Sequence, residues 1–323
     1  MPRLRIGLAV LFAALATIAA TATAQNYPTK PIRLLVPFGP GGVGDITARI
    51  AAQKMGEAMG QQIVIDNRPS AGGIVATELV AKSAPDGYTL LLLNNTNAVS
   101  AAMFRKLPYD IVKDFAMVST LGAFSLVMVV SPDSPVKTLK DLIAQARANP
   151  GKLNIGTINI GSTQHLSAEL FKSLAHVDMV HVPFNATGTV ITGLRANNVQ
   201  VMVDFLPPLV GQIKGGGLRA LAVTPAKRFA ILPETPTVAE AGVPGYEVTG
   251  WNGVAAPAKT PRAIIMRLSQ ELHAAVNAPD VVKRFQELGV EPNLRTPEAM
   301  RDFVIAEVAK YNKVIDNARI PRQ

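Results

Sequence analysis

Pro37-Phe38-Gly39-Pro40-Gly41-Gly42-Val43-Gly44-Asp45 is the stretch whose reading decides the fold. The apolar run Ile32-Arg33-Leu34-Leu35-Val36 leads into it and reads as a buried strand. The pattern leaving it, with Ile46, Arg49-Ile50, Gln53 and Met55 on the way to Met59, reads as a helix. Glycines let backbone approach a ligand closely, and the first N–H groups of a helix lack intrahelical partners. With the helix dipole added, such a turn is a candidate site for an anionic oxygen.

Strand-like runs then alternate with helical patterns. Residues 63–67 lead through Arg68-Pro69-Ser70-Ala71-Gly72-Gly73 into a helix over 74–83, and 88–94 reads as another strand. Two apolar runs, 115–121 and 124–130, separated by Gly122-Ala123, read as a crossing from one lobe to another. Helix 134–149, strand 153–157, the turn Ile160-Gly161-Ser162-Thr163-Gln164 and helix 165–174 begin a second set of βα units. Strands at 179–184, 199–205 and 218–224 complete it, with helices near Val190 and Leu209. A proline-rich passage carries a short helix at 237–241, and 248–254 reads as the return crossing. Helices 261–276, 281–288 and 297–317 close the chain, two of them opened by Thr260-Pro261 and Thr296-Pro297. The expected fold class is α/β, in two lobes with a ligand cleft between them: residues 25–123 and 250–323 in one, 124–249 in the other.

Arg3 and Arg5, the apolar run 6–20 and Ala22-Thr23-Ala24 read as a secretory signal peptide cleaved after Ala24, and export to the periplasm is expected. No cysteine stands at that point to carry a lipid. The chain has none anywhere, which removes disulfides, thiol catalysis and thiolate metal sites together. The net charge of +9 suits anionic ligands, but the basic residues are scattered and aromatics are few, so no nucleic-acid partner is expected.

Gly39-x-Gly41-x-x-Gly44, with Asp66 at the end of the next strand, also matches the dinucleotide fingerprint. Export and the charge of Asp45 in the first helical turn count against it, and an exported nucleotide-dependent enzyme stands as an alternative. Two further glycine turns, at Gly72-Gly73 and Gly161-Ser162-Thr163, sit on βα junctions, and the βα turns of one parallel sheet gather at one end. Ser162 and His165 lie close, but no Gly-x-Ser-x-Gly elbow exists, so no catalytic residue is assigned. His165, His176, His181 and His273 show no ligand-like spacing, and His176 and His181 read as flanking a surface loop; no metal is expected. Asp204 ends an apolar strand, positioned for backbone N–H groups or for a ligand; Trp251, between Gly250 and Gly253, reads as a core or hinge aromatic.

The sequence resembles the Bug-type solute-binding proteins of tripartite tricarboxylate transporters. The resemblance rests on Pro37 to Gly42 with Asp45 and Arg49, on Asn67-Arg68-Pro69-Ser70-Ala71-Gly72-Gly73, and on Pro85-Asp86-Gly87-Tyr88-Thr89-Leu90. It continues through Gly161-Ser162-Thr163, His165-Leu166, Arg228 with Pro233, Pro236 to Gly242, Trp251-x-Gly253 and Pro257. It implies a type II periplasmic binding-protein fold closing on a small carboxylate, with no cofactor and no catalysis. An integral-membrane permease is the implied partner, a monomer the expected state, and a sensory or interaction subunit on the same fold the alternative role. Carried over by motif, Phe38, Gly41, Gly42, Val43, Gly44 and Asp45 form one wall; Ser162, Thr163 and Gln164 form the other; Gly72 and Gly73 line the side. Ser70 stands where the family commonly has glycine, and Phe184-Asn185-Ala186-Thr187-Gly188 replaces its Tyr-Lys-Gly run.

Overall fold

A computed structural model describes residues 27–323; the signal-peptide reading lies outside the described residues. Strand β1 (Ile32–Val36) buries four of its five side chains, as a strand covered by helices on both faces must. Helix α1 (Val43–Met59) follows, then β2 (Ile63–Asn67), a single 3₁₀ turn at Ala71–Gly73, α2 (Ile74–Ala81) and β3 (Thr89–Asn94). β1 pairs in parallel with both β2 and β3. This is lobe 1.

After β3 comes α3 (Asn95–Met103), a helix that the sequence reading leaves out. Asn94 caps it, and Asn97 reaches back to the cap's own N–H in a capping box. The signal was the Asn94–Asn97 spacing, obscured because asparagine stands where glutamate or glutamine usually marks the motif.

The two apolar runs at 115–121 and 124–130 prove to be one long strand, β4 (Phe115–Val130). Gly122 does not break it because the backbone there pairs on both edges, with Asn252 and with Pro292. Lobe 2 follows as α4 (Leu139–Ala148), β5 (Asn154–Ile158), α5 (Thr163–Ala175), β6 (Val180–Phe184), α6 (Thr187–Arg195), β7 (Val201–Phe205), α7 (Val210–Lys214) and β8 (Arg219–Val223). β5 pairs in parallel with β6 and β7. Residues 237–241 form a turn rather than a helix. Thr237 and Glu240 make a reciprocal cap and the Ala241 N–H reaches Thr237 O, but Gly242 bonds to Ala239 O and leaves the helical region at φ +112°, so the ladder ends after one turn.

β9 (Thr249–Pro257) returns the chain, and α8 (Arg262–Val276), α9 (Pro279–Leu288), β10 (Val290–Pro292) and α10 (Pro297–Asn317) complete it. The strand order is β2-β1-β3-β9-β4-β7-β5-β6, with β8 and β10 both paired to β4. β4 and β9 are antiparallel to each other and stand between the two parallel sets. Residues 115–125 of β4 pair with β9, and 126–130 pair with β7 and β8. Two long strands therefore carry the chain across between the lobes. Among the described residues, no helix is long and apolar enough to cross a membrane.

Candidate functional site

The opening turn is held from beneath by Asp45. Its carboxylate accepts the Gly41 N–H at 3.0 Å, the Asn67 amide at 3.0 Å and the Arg49 guanidinium one helical turn on, at 2.9–3.1 Å. Burial pushes its pKa up, but the Arg49, Gly41 and Asn67 hydrogen bonds outweigh burial and hold it below the ordinary carboxylate range. The charge that counted against an anion in this turn is thus paired with a cation and turned to bracing the loop. Asp45→Ala removes the buried carboxylate that these three donors share and is expected to cost about 2 kcal/mol, measured by denaturant unfolding. Asp66, the acid of the dinucleotide reading, is spent on Arg33 and Arg68 instead.

Gly42 caps α1 through its backbone alone, with no side chain on the helix's first N–H groups. They stay open to an external acceptor. Opposite them stands the start of α5. Its cap, Ser162, accepts the His165 N–H at 3.0 Å and donates to Ile158 O at 2.5 Å. Thr163 takes the Asn95 amide at 2.5 Å and lies beside Thr96. Both hydroxyls are therefore engaged in joining and capping, and Gln164 is the residue of this turn that lines the cavity between the lobes.

That cavity is walled by Phe38, Gly42, Val43 and Gly44 of lobe 1 and by Gln164, Thr187 and Asp204 of lobe 2, with Gly39, Ile158, Ala186 and Phe205 around them. Of the other positions carried over from the sequence, Gly41 is exposed and Asp45 buried, and neither lines the cavity. Gly72 sits at the seam, bonded to Ile160 O, and Gly73 lies against Pro37 and Asn97. The cavity measures about 10 Å³, room for roughly one water molecule. A ligand of several heavy atoms enters only with the lobes apart.

Asp204 is wholly buried at the end of β7 and joins two helix starts. It accepts from Gln164 Nε2 at 2.8 Å, from Thr187 Oγ1 at 2.7 Å and from the Phe205 N–H at 2.7 Å. Burial pushes its pKa up against those three bonds.

The lobes meet at Gly72 and Gly161. The Gly72 N–H bonds to Ile160 O at 2.6 Å, and Ser100 of α3 donates to the Gly72 and Gly161 carbonyls at 2.9 and 3.2 Å. Gly161 has φ +77°, and a Cβ there would lie 2.3 Å from the Phe104 ring and 3.3 Å from the Gly72 Cα, so only glycine fits. Asn95, Thr96 and Ser100 are the seam residues that the sequence reading missed along with α3. Ser70, where the family commonly has glycine, accepts the Val75 N–H at the start of α2.

Behind the α5 start two histidines meet. His176 ends α5 and His181 is the second residue of β6, so the two flank the 177–179 loop as read, and the His181 ring stacks on His165 at 4.2 Å and 25°. His165 Nδ1 accepts the Gly161 N–H at 3.1 Å, and His181 Nε2 meets Thr157 Oγ1 at 2.6 Å. With Glu169, the pair gathers three ligand-type atoms within 4.8 Å of one another. Spacing along the chain hid this, because the residues come from a helix and the strand after it. Near-parallel rings do not aim their in-plane lone pairs at one ion, and Lys172 already pairs with Glu169 at 2.9 Å. Burial, helped by Lys172 for His165 and by His165 for His181, holds both pKa values down to about 4.

Two βα lobes bridged by crossing strands, with helix starts converging on the cleft, define a two-lobed solute-binding protein. Residues 47–320 match the model of the tripartite tricarboxylate transporter family receptor, and the chain belongs to that family, one of receptors rather than enzymes. It is 35% identical over 307 residues to protein BugT of Bordetella pertussis, covering 94% of each chain. Rpa4515 of R. palustris, solved with adipate, superposes with a TM-score of 0.87 at 36% identity, over 91% of this chain and 99% of that one. MatC of Rhodopseudomonas palustris, solved with bound malate, gives 0.86 at 31%, over 90% and 100%.

Proposed function

We propose that this protein is a periplasmic receptor that captures a small mono-, di- or tricarboxylate and delivers it to an integral-membrane permease of the tripartite type. The observation that carries this reading is the convergence of three helix starts on one closed cavity: α1 at Gly42–Gly44 from one lobe, α5 at Gln164 and α6 at Thr187 from the other. Helix N-termini supply fixed N–H donors and a favourable dipole for an anion without bringing a counter-cation. Charge-assisted hydrogen bonds are worth roughly 1.5–3 kcal/mol each, so a few reach the ~8 kcal/mol of micromolar binding. The adipate and malate found with two related structures support a carboxylate as the ligand class. Both jaws come from one chain, so the site is complete in a monomer.

The test is thermal unfolding across a panel of mono-, di- and tricarboxylates. A cognate acid at about 100 times its Kd is expected to add roughly 2.7 kcal/mol, a shift of several degrees that saturates with concentration. A folded protein that no acid on the panel stabilises would overturn the reading. Native mass spectrometry of protein purified without refolding identifies any acid that travels with it.

A further inference from the structure

We propose that the lobe 2 wall holds a second, donor-seeking subsite at Gln164, so that the preferred carboxylate also carries a hydroxyl or ammonium group. This rests on the carboxylate-receptor reading and specifies its ligand further.

Gln164 lines the cavity with only 1% of its surface exposed. Its amide has two arms. Nε2 donates to Asp204 Oδ1, whereas Oε1 is buried and has no hydrogen-bond partner. Tyr109, Asn159, Asn252 and Tyr311 also hold buried unpartnered polar atoms, but these residues do not line the cavity. A buried acceptor left unmatched is unfavourable, and a matching donor relieves that penalty.

The amide cannot turn over to escape this. Reversed, it would set Oε1 against Asp204 Oδ1, lone pair against lone pair. Oδ1 is already fixed as an acceptor by the backbone N–H of Phe205 at 2.7 Å. Protonation of Asp204 does not change the argument. A proton on Oδ2 is shared with Thr187 Oγ1, and Oδ1 goes on accepting from Phe205 and Gln164. In either state Oε1 remains an unmatched acceptor on a residue that lines the cavity together with Asp204, Phe38, Val43 and Phe205. A carboxylate oxygen has no proton to offer it. A hydroxyl or an ammonium does, and a donor-bearing acid places its carboxylate on the lobe 1 turn and its donor on Gln164.

The experiment is titration calorimetry with two matched series: propionate, lactate and alanine; succinate, malate and aspartate. The expected result is that the hydroxy or amino member of at least one series binds about tenfold or more tightly than its unsubstituted parent. Which of the two binds better tells whether the donor is O–H or N–H. In Gln164→Met the ratio is expected to fall toward one. In Thr187→Val, which removes a donor to Asp204 but leaves Oε1 in place, both members weaken together and the ratio persists. Parents that bind as tightly as their substituted partners would overturn the subsite while leaving the carboxylate receptor intact, and so would a ratio unchanged in Gln164→Met. Binding of none of the acids in either series would overturn the subsite, and stabilisation by no acid of the wider thermal panel would overturn the carboxylate receptor with it.

Discussion

Between pH 6.5 and pH 4 the protein is expected to lose several kcal/mol of folding stability through His165 and His181. A histidine in the unfolded chain takes its proton near 6.5, whereas burial and neighbouring positive charge hold both folded rings at about 4. Through that window the unfolded state binds protons that the folded state refuses. Stability is therefore complete above about pH 6.5 and falls as the pH drops toward 4. Each pKa unit is worth 1.36 kcal/mol, which gives roughly 3 kcal/mol for one histidine; the stacked pair is coupled, so the two contributions do not simply add. Paired carboxylates do not confuse the reading. Asp45 and Asp66 are held below their ordinary range, so their losses come at still lower pH. Buried Asp204, with its pKa raised, works in the opposite direction and gains as protons are added. Denaturant unfolding at pH 7.5, 6 and 4.5 measures the effect. The double variant His165→Gln/His181→Gln is expected to flatten it, and a flat profile in the unmodified protein would refute the assignment. Because His165 Nδ1 accepts the Gly161 N–H, protonation also strikes at the seam between the lobes.

Gly39→Val is expected to lower carboxylate affinity at least 100-fold while leaving the fold standing. A Cβ at Gly39 would lie 2.8 Å from the Ala186 Cβ and 3.0 Å from Asn185 O, both across the cleft. The collision is with the other lobe, so it opposes closure rather than the packing of either lobe. Open lobes leave the α1 start and the Gln164 wall too far apart to hold one ligand, and an affinity that depends on a closed state falls by the fraction of molecules still able to close. Calorimetry and small-angle scattering check this together. Weak binding, a larger radius of gyration and a thermal midpoint within a few degrees of the parent are the expected triad. Undiminished affinity would show that the 184–188 segment does not close on the turn.

Much of this site was legible in the sequence for a simple reason. Strand, glycine turn and helix are local, and the chemistry of a helix start follows from local backbone geometry. Phe38, Gly42, Val43 and Gly44 line the cavity because the turn that carries them must lie at the end of β1. What was not legible was how each polar side chain is spent. Ser162 and Thr163 are ligand-type residues at a helix start, yet their hydroxyls go to Ile158, His165 and α3. The missed helix α3 supplies the two partners of Thr163, namely Asn95 and Thr96, which lie 68 and 67 positions away in sequence.

The sequence by itself determined the alternation of strands and helices, the glycine turns on βα junctions and the family, because these rest on periodicity and on motifs read within a few residues. Only the tertiary structure decided what the charged and polar groups do, since most of their partners come from other elements. Asp45 braces its own turn through Arg49 and Asn67, Asp204 ties two helix starts together, and two histidines meet face to face. The same long-range closure leaves Gln164 Oε1 without a partner in the cleft. A hydrogen bond is made or lost over a few tenths of an ångström, and only the folded chain fixes distances that finely.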